Sequence, residues 1–148
     1  MSKIKWCLNK KEGLELIESN LNLSQLYLRK AEDALISMGE VQVKDWKIST
    51  GYYAIYFSLY SILMKIGVKC EIHSCTIEFV KEFLKEYFTE DEISFVGNSL
   101  KARIDSQYYV NRAVSEKSYE DILNNTPKFM IKCKSILPKL TESKINKI

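Results

Sequence analysis

The sequence predicts an all-α fold: an up-and-down bundle of four long antiparallel helices plus a fifth helical element. The uncharged run Ile48–Met64 is apolar or aromatic on nearly every side, as expected of a helix that its neighbours cover. Several other stretches carry apolar residues at helical spacing, and none shows the alternation of a strand. The connections between them are short, so sequential helices should be antiparallel neighbours.

The chain of 148 residues fits a single domain, with residues 1–20 as an N-terminal extension and residues 141–148 as a frayed tail. Within the extension, residues 13–18 are expected to form a short helical turn, and Trp6 is expected to pack on the main body. The first long helix should then run from about Asn22 to Met38, because leucines recur there at i, i+3, i+4 spacing. A polar residue near its start can cap it, and Gly39 is predicted to end it; the candidate caps are Asn22 and Ser24.

The central helix is predicted to begin at Val43–Asp45 and to end at Ile66, with Gly67 as its stop. Serines, a glycine and four tyrosines interrupt its apolar run, which makes it a poor membrane span. We therefore expect no membrane association. The tyrosines are interpreted as core residues, with a stacking platform for bases as the alternative; they are Tyr52, Tyr53, Tyr56 and Tyr60.

Three further helices are predicted after the central one. Ser74 should cap a helix from Cys75 to about Phe88. Thr89 and Glu92 form a capping box for a helix from Glu90 to about Arg112, in which Gly97 marks a close-packing point or a break. The last helix is expected to start at Ser115 or Ser118 and to reach about Leu140, with Pro127 kinking or restarting it and Pro138 ending it early.

Charge and cysteine content narrow the class of protein. The net charge of +3 does not by itself imply nucleic acid. Residues 126–148 carry six lysines against one glutamate, interpreted as a solvated face and tail, with a nucleic-acid patch as the alternative.

The four cysteines form no CxxC pair and no signal peptide is evident, which predicts reduced thiols and a cytoplasmic location. Two of them flank His73 as C-x2-H-x-C, without the fourth ligand of a metal site, so no metal or cofactor is expected.

Side chains that could bind a ligand or take part in catalysis are concentrated in two stretches, KCEIHS at residues 69–74 and RIDSQYY at residues 103–109. His73 lies 16 residues before the predicted turn at Thr89 and Asp105 lies 16 after it. Equal distances from the turn of an antiparallel hairpin place His73 at the level of Asp105, within reach of Arg103 or Tyr109. Arg103 then either forms a structural ion pair with Asp105 or contacts an anionic ligand. His73 is either a helix-cap or interface residue or a functional one.

Taken together, GYYAIYFSLYSILMKIGVKCEIHS, an amphipathic helix and KARIDSQYYV resemble the HEPN (higher eukaryote and prokaryote nucleotide-binding) domain family, in its small stand-alone prokaryotic branch. The resemblance covers about Asn22 to Leu140. It implies a bundle of four to five helices that is often a homodimer. Many family members are ribonucleases with an R-x4-6-H motif at the dimer interface, others bind nucleotides or nucleic acid without cleaving them, and some are toxins paired with a nucleotidyltransferase antitoxin that can modify a tyrosine.

This chain departs from the ribonuclease motif. Arg103 matches the motif arginine, but Tyr108 stands where the histidine is expected, and Val110 stands at the place of the modified tyrosine. The resemblance therefore favours a non-catalytic module that binds a nucleotide, a nucleic acid or a nucleotidyltransferase partner, in a toxin–antitoxin or defence system. Its expected ligand-binding residues are Arg103, Asp105, Tyr108, Tyr109, His73 and Lys69. The alternatives are a ribonuclease toxin, in which Arg103 stabilises phosphate charge and His73 transfers protons, and a purely structural scaffold.

Overall fold

The computed structural model describes residues 2–148, of which nearly all regular structure is helical. Helices account for 73% of the chain, which confirms the all-α class. In chain order the elements are α1 (Lys3–Asn9), β1 (Glu15–Leu16), α2 (Leu21–Glu40), α3 (Lys44–Ile66), β2 (Val68–Lys69), α4 (His73–Phe83), α5 (Glu90–Tyr108), α6 (Glu116–Ile136), a 3-10 turn (Leu137–Lys139) and α7 (Glu142–Ile145).

Helix α3 is the centre of the fold, and α2, α5 and α6 all pack against it. Its predicted bounds are confirmed, and Gly67 ends it in the left-handed conformation, with φ +100°. A Cβ atom on Gly67 would lie 2.5 Å from the carbonyl oxygen of Ile17. Both the backbone angle and the close approach of the N-terminal segment therefore require glycine at this position.

Helices α2 and α3 run antiparallel. At one end, the Ser24 hydroxyl of α2 donates to the Ser61 carbonyl of α3 over 2.6 Å. At the other end, a Cβ atom on Gly51 of α3 would lie 2.9 Å from the sulfur of Met38. The absence of a side chain at Gly51 thus allows the two helices to approach closely where they cross.

Helix α6 runs in the same direction as α3. The Ile122 side chain, near the start of α6, lies over Gly51, 2.7 Å from the position of an added Cβ atom. At the far end, the Lys65 ammonium of α3 donates to the carbonyl oxygen of Leu137. These contacts hold α6 along the whole length of the central helix.

Several predicted helix ends are wrong by a few residues. Asn20, rather than Asn22 or Ser24, caps α2, because its side chain accepts from the backbone N–H of residue 23. Gly39 does not end α2: the helix continues to Glu40, and the Val41 N–H bonds the carbonyl of residue 37. An added Cβ atom at Gly39 would meet nothing within 4 Å, so no close packing requires glycine in this last turn.

Helices α4 and α5 are both shorter than predicted. Helix α4 starts at His73, without a side-chain cap from Ser74, and ends at Phe83, after which the chain turns. Helix α5 has the predicted capping box but ends at Tyr108, because Tyr109 adopts an extended backbone. Gly97 neither breaks α5 nor packs closely, since an added Cβ atom would meet nothing within 4 Å.

The C-terminal elements also differ from expectation. Ser115 caps α6, as one of the two predicted alternatives, and the helix reaches Ile136 with Pro127 inside it. Pro138 lies in the 3-10 turn that follows. The tail, predicted to be frayed, contains the short helix α7, whose start Thr141 caps.

The N-terminal extension is structured. Residues 13–18 do not form a helical turn; β1 pairs antiparallel with β2, with Glu15 opposite Lys69. The ladder continues beyond the strands, because the Ile17 N–H donates to the Gly67 carbonyl over 2.8 Å. Two-residue strands are too short to show an alternating pattern, so the sequence carried no signal for them.

A disulfide joins α1 to α4. The sulfur atoms of Cys7 and Cys75 are bonded at 2.08 Å, and both residues are fully buried. The prediction of four reduced thiols is therefore wrong for this pair, whereas Cys70 and Cys133 are free and buried. The two bonded cysteines are 68 residues apart, a separation at which sequence alone gives no sign of pairing. The cytoplasmic location stays a prediction.

Within residues 2–148, no helix combines the length and the apolarity that a membrane crossing requires.

We predict that the disulfide is formed in the purified protein and contributes to its stability. After denaturation without reductant, an alkylating reagent should label only Cys70 and Cys133, and prior reduction should raise the number of labelled cysteines to four. Reduction should lower the free energy of unfolding by about 2–5 kcal/mol, because the bond closes a long loop in the unfolded chain. Labelling of four cysteines without reductant would contradict the bond.

We also predict that Gly97→Ala stabilises the protein. Gly97 lies within α5 and has open space around it, so alanine should add about 0.5–1 kcal/mol to the free energy of unfolding through helix propensity alone. Gly67→Ala is the matched control and should destabilise, because its positive φ disfavours a side chain. Urea denaturation of both variants checks the pair; a destabilised Gly97→Ala would indicate that something outside this chain's own contacts needs the glycine.

Candidate functional site

The guanidinium of Arg103 is held by neutral partners. Its Nε atom donates to Gln107 Oε1 over 3.0 Å, one turn further along α5. Its Nη2 atom donates to the Tyr53 hydroxyl over 3.0 Å and to the Tyr108 hydroxyl over 3.4 Å. Within the described part of the chain, Arg103 has no carboxylate partner, so the predicted alternative of an ion pair with Asp105 is wrong.

Three tyrosine rings surround the same guanidinium. Its Cζ atom lies 5.0 Å from the ring centre of Tyr53, 5.4 Å from that of Tyr52 and 5.8 Å from that of Tyr108. Rings at these distances attract the cation through their electron-rich faces. Unlike a carboxylate, an aromatic ring forms no ion pair with the guanidinium, so these contacts do not balance its positive charge.

His73 reaches this cluster from the start of α4. Its Nδ1 atom is hydrogen-bonded to the Tyr52 hydroxyl at 2.7 Å. Its ring stacks on that of Tyr56, with centres 3.9 Å apart and planes 6° from parallel. His73 and Arg103 thus contact the same residue, Tyr52, and we refer to Arg103, His73, Tyr52, Tyr53 and Tyr108 together as the Arg103 cluster.

The short connection after α3 explains why His73 lies there. Gly67 turns the chain, β2 pairs with β1, and the Cys70 backbone N–H donates to the buried Tyr60 hydroxyl over 3.0 Å. Thr76, in the first turn of α4, is hydrogen-bonded to the Tyr56 hydroxyl at 3.0 Å. These bonds fix the residues on either side of His73 against α3.

Burial and charge set the protonation of the cluster. Burial, with a further contribution from the positive charge of Arg103, lowers the pKa of His73 from 6.5 to about 4. Burial also raises the pKa of Tyr52 well above its ordinary value. Near neutral pH the imidazole is therefore neutral and the Tyr52 hydroxyl keeps its proton, so Arg103 supplies the only charge of the cluster.

The predicted site residues fall into separate groups. Arg103, His73 and Tyr108 come together as described, and the hairpin argument that placed His73 within reach of Arg103 agrees with their shared contact to Tyr52. Lys69 does not join them, because it lies in β2 opposite Glu15 and is exposed.

Asp105 and Tyr109 belong to a second group at the end of α5. The Asp105 carboxylate is only 13% exposed and pairs with Lys101 and Arg112, each at 3.4 Å. The Arg112 guanidinium lies 3.8 Å from the ring centre of Tyr109. These contacts hold the loop after α5 to the helix, and they balance the Asp105 charge without involving Arg103.

Three members of the site were not predicted from the sequence. Tyr52 and Tyr53 were interpreted as core residues, and the core interpretation is confirmed for Tyr52, which is fully buried. Tyr53 is only half-buried and bonds Arg103. Adjacent helical residues point about 100° apart, so two tyrosines in succession do not point into the same part of the core, and this could have indicated the role of Tyr53. Gln107, one turn after Arg103 on α5, was assigned no role from the sequence.

A separate cleft of about 570 Å³ lies between α5 and α6. Its lining carries charges of both signs, and one of its lysines, Lys117, already pairs with Asp121. It contains no member of the Arg103 cluster. Among residues 2–148, no three histidine, cysteine, aspartate or glutamate side chains are grouped so that they could hold a metal ion.

In comparisons with known proteins, no family model matches the chain and no curated protein is similar enough to count as a relative.

We predict that His73 titrates near pH 4 in the folded protein. Because the unfolded chain then binds more protons between about pH 4 and 6.5, the contribution of His73 to the free energy of unfolding should be full above pH 6.5 and lost as pH falls towards 4. His73 is the only histidine, so its resonances in an NMR titration are unambiguous.

His73→Gln is the control, because it keeps a polar side chain beside Tyr52 and removes the titration. The difference in unfolding free energy between wild type and variant should depend on pH only within this window. A titration at the ordinary histidine pKa would show that the ring is solvated.

Proposed function

We propose that the chain is a HEPN-like module that binds a nucleotide or a nucleic acid through the Arg103 cluster and does not cleave it. The proposal includes the finer architecture expected of such a module, an up-and-down bundle of four long antiparallel helices. Helix α2 runs antiparallel to α3 and α6 runs parallel to it, as expected if α3 and α6 are the second and fourth long helices of such a bundle.

The observation that carries the proposal is the unbalanced charge of Arg103. Its hydrogen bonds go to neutral groups through Nε and Nη2, and its Nη1 atom has no bond within residues 2–148. A guanidinium held in place by neutral partners is ready to bind a phosphate, for which it has the matching geometry. The partly buried surroundings strengthen that attraction relative to open water.

Tyr108 supplies a second element of nucleotide recognition. The residue is 62% exposed beside Arg103, so its ring is accessible to a base. Stacking of bases on exposed tyrosines is a common way to hold a nucleotide whose phosphate an arginine contacts. Asp105, Tyr109 and Lys69 are not part of this proposed site.

The protonation of His73 argues against cleavage. A general base or acid works best when its pKa is close to the working pH. With a pKa of about 4, His73 is a weak base, and near neutral pH it lacks the imidazolium proton that a general acid would donate. Tyr52, its hydrogen-bonding partner, has a raised pKa and cannot take the role of base either.

A ribonuclease is the second candidate, and one observation favours it. Arg103 and His73 contact the same residue, Tyr52, so an arginine and an imidazole do converge, as a phosphoryl-transfer site would need. A homodimer and a nucleotidyltransferase partner remain part of the proposal through the family resemblance alone.

The proposal predicts that Arg103→Gln weakens ligand binding. Affinity for a nucleoside monophosphate and for single-stranded RNA should fall by about 10–100-fold, as expected when one charge-assisted hydrogen bond is lost. Arg112→Gln is the matched control. It removes an arginine from the same region, but one whose charge is paired with Asp105. Titration calorimetry measures both affinities, and circular dichroism checks that both variants fold.

RNA integrity in the same samples separates the candidates. Intact RNA with Arg103-dependent binding supports the module. Cleavage that both Arg103→Gln and His73→Gln abolish would support the ribonuclease instead. Binding of neither ligand by the wild-type protein would overturn the proposed function.

A further inference from the structure

Helix α1 and the turn after it carry a concentrated positive surface. Four lysines lie within nine residues, together with an exposed tryptophan, and all five side chains are exposed. We name this surface the α1 patch; it comprises Lys3, Lys5, Trp6, Lys10 and Lys11. Trp6 was expected to pack on the main body, but it is 38% exposed, so that expectation is wrong.

The lysines of the α1 patch surround the indole. The Lys3 ammonium lies 4.3 Å from the centre of the Trp6 ring, and that of Lys10 lies 5.6 Å from it. These contacts place two cations over an aromatic ring of which part remains exposed. A cationic groove with exposed aromatic rings is the arrangement that proteins use to bind single-stranded nucleic acid, where bases stack and phosphates pair.

The positive charge of the α1 patch is not balanced by ion pairs. Within the range that the structure describes, none of its four lysines lies within ion-pairing distance of a carboxylate. In the lysine-rich C-terminal segment, two of the six lysines are in ion pairs, Lys132 with Glu92 and Lys134 with Glu32, and the other four have none among the described residues. The α1 patch differs in its exposed indole, over which two of its lysines lie, and it is therefore the better candidate for binding a strand that has both phosphates and bases.

The disulfide sets the location of the α1 patch relative to the Arg103 cluster. Cys7 lies in the middle of the patch sequence and is bonded to Cys75, two residues after His73. Helix α1 is therefore fixed against the first turn of α4, which also carries His73; because helical residues two apart point about 200° apart, Cys75 and His73 lie on different sides of that turn. Because a helix with its side chains is about 10–12 Å across, the patch and the cluster lie within reach of one extended nucleic-acid chain.

We propose that the α1 patch is a second contact surface for single-stranded nucleic acid, which extends a strand bound at the Arg103 cluster. This inference rests on the proposed function and narrows its ligand from a free nucleotide to a polynucleotide. The lysines contact phosphates and Trp6 stacks on a base. An anionic membrane is the less suitable partner, because Ile4 and Cys7, on the apolar side of α1, already pack on the protein core.

The test compares two triple variants with the same change in net charge. Lys3→Gln, Lys5→Gln and Lys10→Gln remove charge from the α1 patch. The control removes three exposed lysines of the C-terminal segment: Lys139→Gln, Lys144→Gln and Lys147→Gln. Fluorescence anisotropy measures binding of a labelled single-stranded RNA of about 16 nucleotides at several salt concentrations. Calorimetry measures binding of a nucleoside monophosphate.

We expect the α1 variant to bind the RNA about 10–100-fold more weakly at ~0.1 M salt and to lower the slope of log affinity against log salt by about 2. Its affinity for the monophosphate should equal that of wild type. The control variant should retain most of the RNA affinity. Trp6→Ala should weaken RNA binding about tenfold while leaving the salt slope unchanged, because stacking involves no counterion release.

Different failures have different meanings. If both triple variants bind RNA equally well, or if the control loses more affinity, the α1 patch is not the contact surface, although Arg103-dependent nucleotide binding still supports the proposed function. If the wild-type protein binds neither RNA nor monophosphate, the proposed function itself fails. Binding to phosphatidylserine-containing vesicles that depends on the α1 lysines, without RNA binding, would assign the patch to a membrane surface and overturn the inference.

Discussion

The hydroxyl groups of three buried tyrosines on α3 are the constraint on which the rest of the structure depends. These tyrosines stand one turn apart and stack in a column; they are Tyr52, Tyr56 and Tyr60. Each hydroxyl has a partner in the first turn of α4 or in the connection that precedes it; in the same order, the partners are the His73 ring, the Thr76 hydroxyl and the Cys70 backbone N–H. A buried hydroxyl without a partner costs about 1–3 kcal/mol, so this segment is held against α3 at three points.

One consequence is electrostatic. The hydrogen bond to Tyr52 and the stacking on Tyr56 place His73 where burial and Arg103 both disfavour its protonated form. The imidazole therefore contributes no charge, and Arg103 keeps a single positive charge among aromatic rings. That environment favours an anion over a cation or a neutral ligand, and this is the physical basis of the proposed binding function.

Long periodic elements could be predicted from the sequence, whereas short elements and long-range pairs could not. The stop at Gly67 and the capping box at Thr89 follow from local chemistry and were predicted correctly. The two-residue strands are shorter than any detectable period. The bond between Cys7 and Cys75 depends on packing between distant segments. The same is true of the Arg103 side chain, which bonds tyrosine and glutamine side chains and not Asp105. The placement of His73 near Arg103 could be predicted because residues at equal distances from the turn of an antiparallel hairpin lie at the same level.

The same contact also limits the chemistry that the Arg103 cluster can perform. An arginine close enough to share a phosphate with His73 also stabilises the neutral imidazole, and part of the lowered pKa has this cause. A stronger phosphate site in this arrangement is therefore a weaker base. Cleavage of RNA would need a further proton-transfer group near neutral pH, supplied by a second copy of the chain or by the substrate. The binding that we propose needs no such group, and we therefore favour the non-catalytic proposal.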